Sequence, residues 1–354
     1  MFALALLNKI TMLALLLTTL MCGSEGFRGL GLAPRVDKGR LSMASSALPP
    51  SARKELFFDI VESGLYAKFT PVELERVAKF ISFARGSAIM PDVDRGALHD
   101  PCEEYITGLT AKPWWDASLP EFSAWVPALS EATPIIRREL ESVLAQEAES
   151  TFKADSNYQQ TMGKGWTAFR LQRLGEWNDE NSMRFPQTTR LIKALPIPLA
   201  VRGVMFAKQE PNSGVAAHSD GRNFILTAHV GLAVPPGCSI TVGRETKTWV
   251  ENGVIIFDTS FTHETSNPTD TERYVLIIDF WHPELSAAER EALQLVYKWR
   301  NQFESGNVKD IDAPWVKEGK PLTTQAYLDS KKGFGERFAT FFSDGGLIKF
   351  NPMR

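Results

Sequence analysis

Residues 224–232 read FILTAHVGL, a short run rich in apolar, aromatic and β-branched side chains. Runs of the same kind recur before and after it, separated by Gly, Pro or Asn, and lie at 166–174, 200–208, 239–242, 254–257 and 274–280. Such runs between turn residues are typical of strands, so the sequence predicts an antiparallel sandwich or barrel. The lack of a Gly-rich phosphate loop between a strand and a helix argues against a nucleotide-binding α/β fold.

Helical sequence flanks the predicted strands on both sides. Thr70–Glu73 is a capping box with proline at the first helical position. It predicts a helix that ends before Gly86 and carries the apolar residues Val72, Leu74, Val77, Phe80 and Ile81. A second helix is predicted to begin at Thr133, and a third at the capping box Ser286–Glu289. Together these patterns predict a mainly β fold with flanking helices.

Composition limits the classes of protein. The 354-residue chain is 44% hydrophobic, so it can bury the core of one large domain or two. Its formal net charge of -3 gives no bulk electrostatic reason to bind nucleic acid. Cys22, Cys102 and Cys238 are too few for a disulfide scaffold and form no CxxC pair typical of a zinc ribbon. The sequence leaves open whether Cys102 and Cys238 form a disulfide.

The N-terminus has the pattern of a targeting segment. Lys9 precedes a mostly apolar run at 10–22, which is too short to span a bilayer but typical of a signal peptide. Residues 27–46 are basic, poor in acids and rich in small residues, like a transit peptide. This order resembles the leaders of plastid proteins in algae with complex plastids, which enter by the secretory route. Secretion, delivery to the ER lumen and a retained signal anchor are the alternatives. No stable membrane span is expected in the mature chain.

Three residues form a candidate metal centre. His218 and Asp220 are two residues apart, so on an extended backbone their side chains point to the same face. His263 follows a predicted strand, and the sheet can bring it opposite the first pair. Two imidazoles and one carboxylate are the ligand set of non-haem Fe(II) oxygenases, which keep metal positions open for a cosubstrate and O2. The spacing therefore predicts an Fe(II) site.

Two further residues are candidates to bind a cosubstrate. Arg273 begins the 274–280 strand, so its guanidinium can enter a barrel and pair bidentately with a carboxylate such as the distal one of 2-oxoglutarate. The alternative is an arginine in solvent or paired with Glu272 or Asp270. His229 lies within a predicted strand, where both a hydrogen-bonded core histidine and a functional histidine stay open.

The motifs resemble those of a known family. Residues 224–232, with PGC at 236–238, ETKTW at 245–249, IFDTSFTHE at 256–264 and DFWHPEL at 279–285, are similar to the catalytic domain of aspartyl/asparaginyl β-hydroxylases. The resemblance extends over about residues 105–300. It implies a double-stranded β-helix fold and an Fe(II)- and 2-oxoglutarate-dependent dioxygenase.

The resemblance also assigns roles to single residues. It implies that His218 and His263 are the two metal histidines, that Arg273 holds the distal carboxylate of 2-oxoglutarate, and that His229 lies near this cosubstrate. Asp220 replaces a glycine of the animal enzymes, which lack a carboxylate ligand. Bacterial relatives that hydroxylate lipid A acyl chains carry the same HxD motif.

Three positions depart from the family's pattern. Thr227 lies where family members usually have an arginine near the cosubstrate, and Arg222 or Lys208 is a candidate to replace it. Ile225 lies at a substrate-contacting arginine of the animal enzymes, and Ala207 at a serine that helps the distal carboxylate. A pocket with fewer arginines predicts a substrate less acidic than an Asp-bearing peptide, and efficient hydroxylation of Asp- or Asn-bearing peptides would contradict this.

These patterns predict four segments: a leader at 1–47, a helical segment at 48–104, an oxygenase domain at 105–303 and an extension at 304–354. The expected reaction hydroxylates a C–H bond of a peptide, lipid or small molecule and releases succinate and CO2, with no catalytic residue beyond the metal centre. The alternatives are a cupin-like metalloenzyme that does not use 2-oxoglutarate and a non-catalytic β-barrel binding module.

Overall fold

The structure is a computed structural model that describes residues 50–89, 104–147 and 165–318. The predicted leader lies outside these ranges, as do Cys102, His99 and the end of the predicted C-terminal extension. The division into four segments therefore stays a prediction. No helix of the described residues is long and apolar enough to cross a membrane.

Eleven strands form two antiparallel sheets in the described residues. The large sheet has the order β1-β9-β6-β11-β4-β2-β3 and the small sheet the order β5-β10-β7-β8. The strands are β1 Trp114–Trp115, β2 Trp166–Arg173, β3 Glu176–Trp177, β4 Leu199–Gln209, β5 Ser213–His218, β6 Ile225–Ala233, β7 Ser239–Val242, β8 Glu245–Lys247, β9 Val254–Asp258, β10 His263–Asn267 and β11 Arg273–Trp281. The predicted mainly β fold with flanking helices, of double-stranded β-helix type, is confirmed.

Seven α-helices and one short 3-10 helix flank the sheets in the same ranges. They are α1 Pro50–Tyr66, α2 Glu75–Arg85, α3 Val126–Glu147, α4 Asp179–Arg184, α5 Pro186–Ala194, α6 Ala287–Glu304, α7 Pro314–Lys317 and the 3-10 helix Val308–Asp310. α6 begins at the predicted capping box, where the Ser286 side chain accepts from the Glu289 backbone N–H and the Glu289 side chain accepts from Ser286.

Side-chain alternation along the strands divides the core. On β4, Val204 and Phe206 pack with α3 and α5 on the outer face of the large sheet. Met205 and Ala207 point the other way, into a core shared with β5 and β7 of the small sheet. Because successive side chains of a strand alternate between faces, one apolar strand contributes to both cores. The inner core, between the two sheets, is where the candidate site residues lie.

A third core joins the N-terminal and C-terminal helices. It contains Phe80 of α2, Trp299 of α6 and Trp315 of α7, all less than 2% exposed. The same core reaches the end of the sheet through Phe224, whose ring contacts that of Phe80 at 5.6 Å between centroids. The helices at the two ends of the described chain therefore cover one end of the β structure.

α3 begins earlier than predicted. The sequence pattern placed its start at Thr133, whereas the helix begins at Val126 and contains Pro134 in its interior. The apolar stripe continues upstream of the proline through the buried residue Leu129, and the Thr133 hydroxyl donates back to the Leu129 carbonyl at 2.9 Å instead of capping a helix. Pro134 is exposed, so its ring faces away from the packed side.

The predicted start of α2 was also wrong. The Glu73 carboxylate does accept from the Thr70 backbone N–H at 2.8 Å, but this box closes a turn, and the regular helix begins at Glu75. As a result Val72 is 86% exposed, in contrast to its predicted place on the apolar face. Val77, Phe80 and Ile81 are buried as predicted.

An irregular segment of β4 departs from simple strand geometry. β11 pairs Ile278 with Val204 and Phe280 with Leu199, so four residues of β4 lie opposite one residue of β11. Gly203 has a φ of 74°, and a Cβ there would overlap the backbone carbonyl of Gln172 on β2. Bulges of this kind redirect side chains and are frequent beside functional sites. The neighbouring residue, Arg202, is redirected in this way.

Gly203→Ala is expected to destabilise the protein by about 2–5 kcal/mol. A positive φ costs a residue with a Cβ about 1–2 kcal/mol, and the overlap with the Gln172 backbone adds the cost of local overpacking. Urea unfolding measures the change. The matched control is Gly86→Ala, which has a φ of 85° but no atom within 4 Å of the added carbon, so it should lose only the cost of the positive φ, about 1–2 kcal/mol. Equal losses in the two variants would contradict the proposed overlap.

Candidate metal and cosubstrate site

The small sheet brings the two predicted metal histidines together. β5 and β10 are antiparallel neighbours, and their register pairs His218 directly with His263. The imidazole centroids are 4.3 Å apart. His218 ends β5 and His263 begins β10, so both side chains lie at one edge of the inner core. The sequence did not predict these two strands, because their side chains are mostly small or polar.

Both histidines present the same ring nitrogen. Nδ1 of His218 lies 2.8 Å from the Ala216 carbonyl, and Nδ1 of His263 lies 2.9 Å from the Phe261 carbonyl. A carbonyl only accepts, so Nδ1 carries the hydrogen and Nε2 keeps its lone pair. Nε2 of His218 is buried and has no hydrogen-bond partner in the described residues. This arrangement suits metal ligation, which needs a neutral imidazole oriented through its other nitrogen.

Asp220 completes the group. Its Oδ1 lies 4.0 Å from Nε2 of His218, and one ligand atom from each of His218, Asp220 and His263 lies within 4.8 Å of the others. Two hydrogen bonds fix the HxD segment to the turn before β10: the Asp220 backbone N–H donates to the Thr259 carbonyl at 2.9 Å, and the Ser219 hydroxyl donates to the Ser260 carbonyl at 2.7 Å. The three predicted ligands therefore meet at one place.

The electrostatics favour the ligand forms of these groups. Burial would raise the pKa of Asp220, but the charge and hydrogen bond of Arg202 act together with the nearby His263 and His218 and hold the pKa well below its ordinary value. Burial lowers the pKa of His263, and the Asp220 carboxylate offsets only part of this effect. At neutral pH the centre therefore offers a carboxylate and an unprotonated imidazole, which are the forms that bind a divalent cation.

Arg273 points into the inner core and is 1% exposed. Its Nη2 donates to Oε1 of Gln209 at 2.6 Å, and its guanidinium lies 4.5 Å from the centroid of the Trp249 ring. Nε and Nη1 are buried and have no partner in the described residues. Burial lowers the pKa of Arg273 to about 10. A buried guanidinium with two free donors and no carboxylate beside it is suited to bind an anion.

His229 lies beside this guanidinium. Its Nδ1 accepts from Nε1 of Trp249 at 3.3 Å, and the two rings stack with 6.0 Å between centroids. Burial, and next the charge of Arg273, hold the pKa of His229 well below its ordinary value. Because Trp249 contacts both Arg273 and His229, the two predicted cosubstrate residues belong to one cluster.

The predicted replacements for the missing arginine are engaged elsewhere. Nε of Arg222 lies 3.0 Å from the Glu104 carboxylate, and Nζ of Lys208 lies 3.0 Å from Glu272. The cation that contacts Thr227 is Arg202, whose Nη2 donates to the Thr227 hydroxyl at 3.0 Å. Sequence reasoning missed Arg202 because it lies within an apolar strand run, and its partners are 18 or more residues away.

Comparison with known proteins finds the family that the motifs resemble. Residues 130–283 match the sequence model of the family described as Aspartyl/Asparaginyl beta-hydroxylase. Over 195 residues the chain is 32% identical to the Homo sapiens aspartyl/asparaginyl beta-hydroxylase, covering 54% of this chain and 25% of that protein. The resemblance predicted from the motifs is confirmed.

Two further likenesses complete the comparison. Over 177 residues the chain is 29% identical to the Homo sapiens aspartate beta-hydroxylase domain-containing protein 2, covering 46% of this chain and 48% of that protein. The chain thus spans a quarter to a half of the length of these relatives. A solved oxidoreductase of the 2OG-Fe(II) oxygenase family from Burkholderia pseudomallei matches with a TM-score of 0.30 and 14% identity, covering 51% of this chain and 99% of that one. This last likeness is too weak to bear on function.

Proposed function

We propose that the chain is an Fe(II)- and 2-oxoglutarate-dependent dioxygenase that hydroxylates a C–H bond. The observation that carries the proposal is the pair of unsatisfied groups in the inner core. Within the described residues, Nε2 of His218 is buried without a hydrogen-bond partner beside a carboxylate and a second histidine. Nε and Nη1 of Arg273 are buried in the same core, and no group of the described ranges accepts from them. A metal cation satisfies the first set and a carboxylate anion the second.

The residues fit the two groups. His218, Asp220 and His263 would hold Fe(II), and Arg273 would hold the distal carboxylate of 2-oxoglutarate with Nε or Nη1 while Gln209 fixes its Nη2. When bound, Fe(II) and 2-oxoglutarate supply the oxidising chemistry that activates O2, with succinate and CO2 as co-products. The chain itself orients the two histidine ligands through their Nδ1 hydrogen bonds, and the rings of Phe257 and Trp249 pack against His229 in the inner core.

The substrate is proposed to be less acidic than an Asp-bearing peptide. Ile225, at the position of a substrate-contacting arginine of the animal enzymes, is fully buried in the core of the terminal helices. Ile225 therefore supplies no polar contact to an acidic side chain. We also propose entry into the secretory route, with a plastid of an alga, the cell exterior or the ER lumen as destinations.

The structure favours this proposal over the cupin-like alternative. A cupin-like enzyme that does not use 2-oxoglutarate has no need for a guanidinium buried beside the metal ligands, and burying such a charge without an anion is costly. That alternative does not account for the donors of Arg273 that have no partner in the described residues. A binding module that has lost turnover would keep both sites, so only turnover separates it from the proposal.

The test is an anaerobic titration of the metal-free protein with Fe(II) and then with 2-oxoglutarate, followed by visible spectroscopy. Chelation of Fe(II) by the 2-oxo acid is expected to give a metal-to-ligand charge-transfer band. His218→Ala should abolish the band and Asp220→Ala should weaken it, because each removes a ligand. The matched control is Arg222→Lys, which changes a charged residue of the same segment that contacts Glu104, and it should retain the band.

Two outcomes would contradict the proposal. If Fe(II) bound but 2-oxoglutarate gave no band, the cupin-like reading would account better for the site. If Fe(II) and 2-oxoglutarate both bound but no substrate library produced succinate above the background of the His218→Ala variant, the binding module would be favoured.

A further inference from the structure

Arg202 contacts two carboxylates at the candidate centre, those of Asp220 and Asp279. It lies on the irregular segment of β4 beside Gly203, whose positive φ redirects the strand. Its Nη2 lies 2.9 Å from Oδ1 of Asp279, and it also donates to the hydroxyls of Thr227 at 3.0 Å and Thr259 at 3.1 Å. Three acceptors from three different parts of the chain therefore hold one guanidinium nitrogen.

The acceptors form a row across the large sheet. Asp279 of β11 and Thr227 of β6 are register partners, and the Thr227 hydroxyl donates to Oδ1 of Asp279 at 2.6 Å. Thr259 follows β9, the next strand of the sheet. Because these groups are carried by paired strands, their relative positions are fixed by the backbone ladder. The row therefore supports the Arg202 side chain rigidly.

The other end of the guanidinium reaches the metal centre. Nη1 of Arg202 donates to Oδ2 of Asp220. Oδ1 of the same carboxylate is left on the side of the histidines, 4.0 Å from Nε2 of His218. A planar guanidinium contacts partners at two nitrogens in a fixed geometry, which an ammonium group cannot do. The contact therefore sets the rotation of the carboxylate and selects the oxygen that faces the histidines.

We propose that Arg202 is a positioning residue of the metal centre, which orients the Asp220 carboxylate so that Oδ1 faces the two histidines that would hold the metal with it. The inference rests on the proposed function, since it assigns Asp220 to the metal. It also accounts for the threonine at position 227. An arginine there would lie next to Asp279, where the guanidinium of Arg202 now lies. The carboxylate at 220, the arginine at 202 and the threonine at 227 therefore work as one unit.

The charges of this unit balance. Asp279 is 1% exposed and pairs with Arg202, so its negative charge offsets the positive charge of the guanidinium. The charge of Asp220 then remains to offset part of the charge of a divalent metal. Without Asp279, an additional buried cation beside the metal would oppose metal binding, since charges interact strongly in a medium of low polarity.

The experiment titrates the metal-free full chain with Co(II), whose visible absorption reports its coordination. Arg202→Lys keeps the positive charge but removes the second nitrogen, and it is expected to weaken Co(II) binding about 10–100-fold, as is typical when a partner of a metal ligand is changed. The matched control is Arg222→Lys, at a guanidinium of similar exposure two residues from Asp220, which should bind Co(II) within about twofold of wild type.

A double-mutant cycle separates positioning from a general structural effect. If Arg202 acts through Asp220, Arg202→Lys should weaken Co(II) binding in the wild-type background but not further in the Asp220→Ala background. The Co(II) spectrum of Arg202→Lys should also shift toward that of Asp220→Ala. Thr227→Val, which removes one acceptor of Nη2, provides a milder variant and should give a smaller loss that also vanishes in the Asp220→Ala background.

The outcomes are distinct. The positioning role would be overturned, with the proposed function intact, if Arg202→Lys bound Co(II) within about twofold of wild type. It would also be overturned if Arg202→Lys weakened Co(II) binding as much in the Asp220→Ala background as in the wild-type background. Failure of the wild-type chain to bind Co(II) or Fe(II) at all would overturn the metal centre and this inference together. If Arg202→Lys does not fold, the same criteria apply to Thr227→Val.

Discussion

Arg273→Met is expected to make the protein more stable and unable to bind 2-oxoglutarate. The guanidinium is buried with two donors that no described residue satisfies, and burial lowers its pKa to about 10. An apolar side chain of similar length removes this cost. Gln209 is not left unpaired, because its Oε1 also accepts from the Thr265 hydroxyl at 3.1 Å. Replacing buried charge by apolar side chains often adds about 1–4 kcal/mol of stability, which is a rise of a few degrees in Tm for a domain of this size.

The same change should remove most of the binding energy for the cosubstrate. Loss of one partner of a buried charge pair costs about 2–5 kcal/mol, so the Kd for 2-oxoglutarate should rise at least about 30-fold. The measurement is thermal unfolding of the protein loaded with Co(II), with and without 2-oxoglutarate. Wild type should gain stability from saturating 2-oxoglutarate, as any ligand of the folded state provides. Arg273→Met should have a higher Tm than wild type without 2-oxoglutarate, and its Tm should rise little when 2-oxoglutarate is added.

Arg290→Met is the matched control for this experiment. Arg290 is also partly buried, burial also lowers its pKa, and its Nε also lacks a partner in the described residues. It donates to the Pro283 carbonyl at the start of α6 and lies outside the inner core. Its replacement should leave the response to 2-oxoglutarate unchanged. A full response of Arg273→Met to 2-oxoglutarate would mean that the anion binds elsewhere.

The strands that the sequence predicted well are those with apolar side chains on both faces. β6 and β11 are buried along almost their whole length, so their composition indicates strand without knowledge of the neighbours. β5 and β10 carry mostly small or polar residues and have partly exposed side chains. Their strand conformation depends on pairing with each other and with β7. Pairing between segments 45 residues apart leaves no local pattern, so these strands could not be predicted.

The residues of the candidate site also fall into those that the sequence could predict and those that it could not. The predicted ligands and Arg273 could be found because their spacing matches a ligand set and a family motif. Arg202 carries no such signal, since its role depends on the bulge at Gly203 and on carboxylates 18 and 77 residues away. The start of α3 shows the reverse case, in which a strong local signal at Thr133 and Pro134 was overridden by the apolar stripe upstream. Local rules failed where tertiary contacts supplied the deciding energy.

Acid is expected to destabilise the metal-free protein strongly between about pH 6.5 and pH 5. Burial lowers the pKa of His229, His263 and His282 in the folded state. The geometry explains this for two of them, because Nδ1 of His229 accepts from Trp249 and Nδ1 of His282 accepts from the Glu284 backbone N–H at 3.2 Å. A proton on either nitrogen would remove its hydrogen bond.

The direction of this pH effect on stability follows from the number of protons that the folded and unfolded chains bind. As pH falls through the ordinary pKa of histidine, near 6.5, the unfolded chain binds protons that the folded chain does not bind. The free energy of unfolding therefore falls. Each histidine that stays unprotonated only in the folded state lowers the free energy of unfolding by at most about 1.4 kcal/mol per pH unit. Three such histidines set an upper limit of about 4 kcal/mol per pH unit. The buried carboxylates with lowered pKa, such as Glu104 and Asp220, add to the loss only nearer pH 4, where unfolded carboxylates begin to protonate.

Urea unfolding at a series of pH values, with metal removed by a chelator, measures this slope. His229→Gln and His282→Gln should each reduce it by about one proton, because glutamine keeps a polar side chain and does not titrate. His99→Gln is the control, since the sequence places His99 in a polar loop, and it should leave the slope unchanged. A slope near zero above pH 5 in the wild-type protein would mean that these histidines accept protons in the folded state. His263 would then be protonated in the folded, metal-free protein, and a metal would have to displace that proton to bind at Nε2.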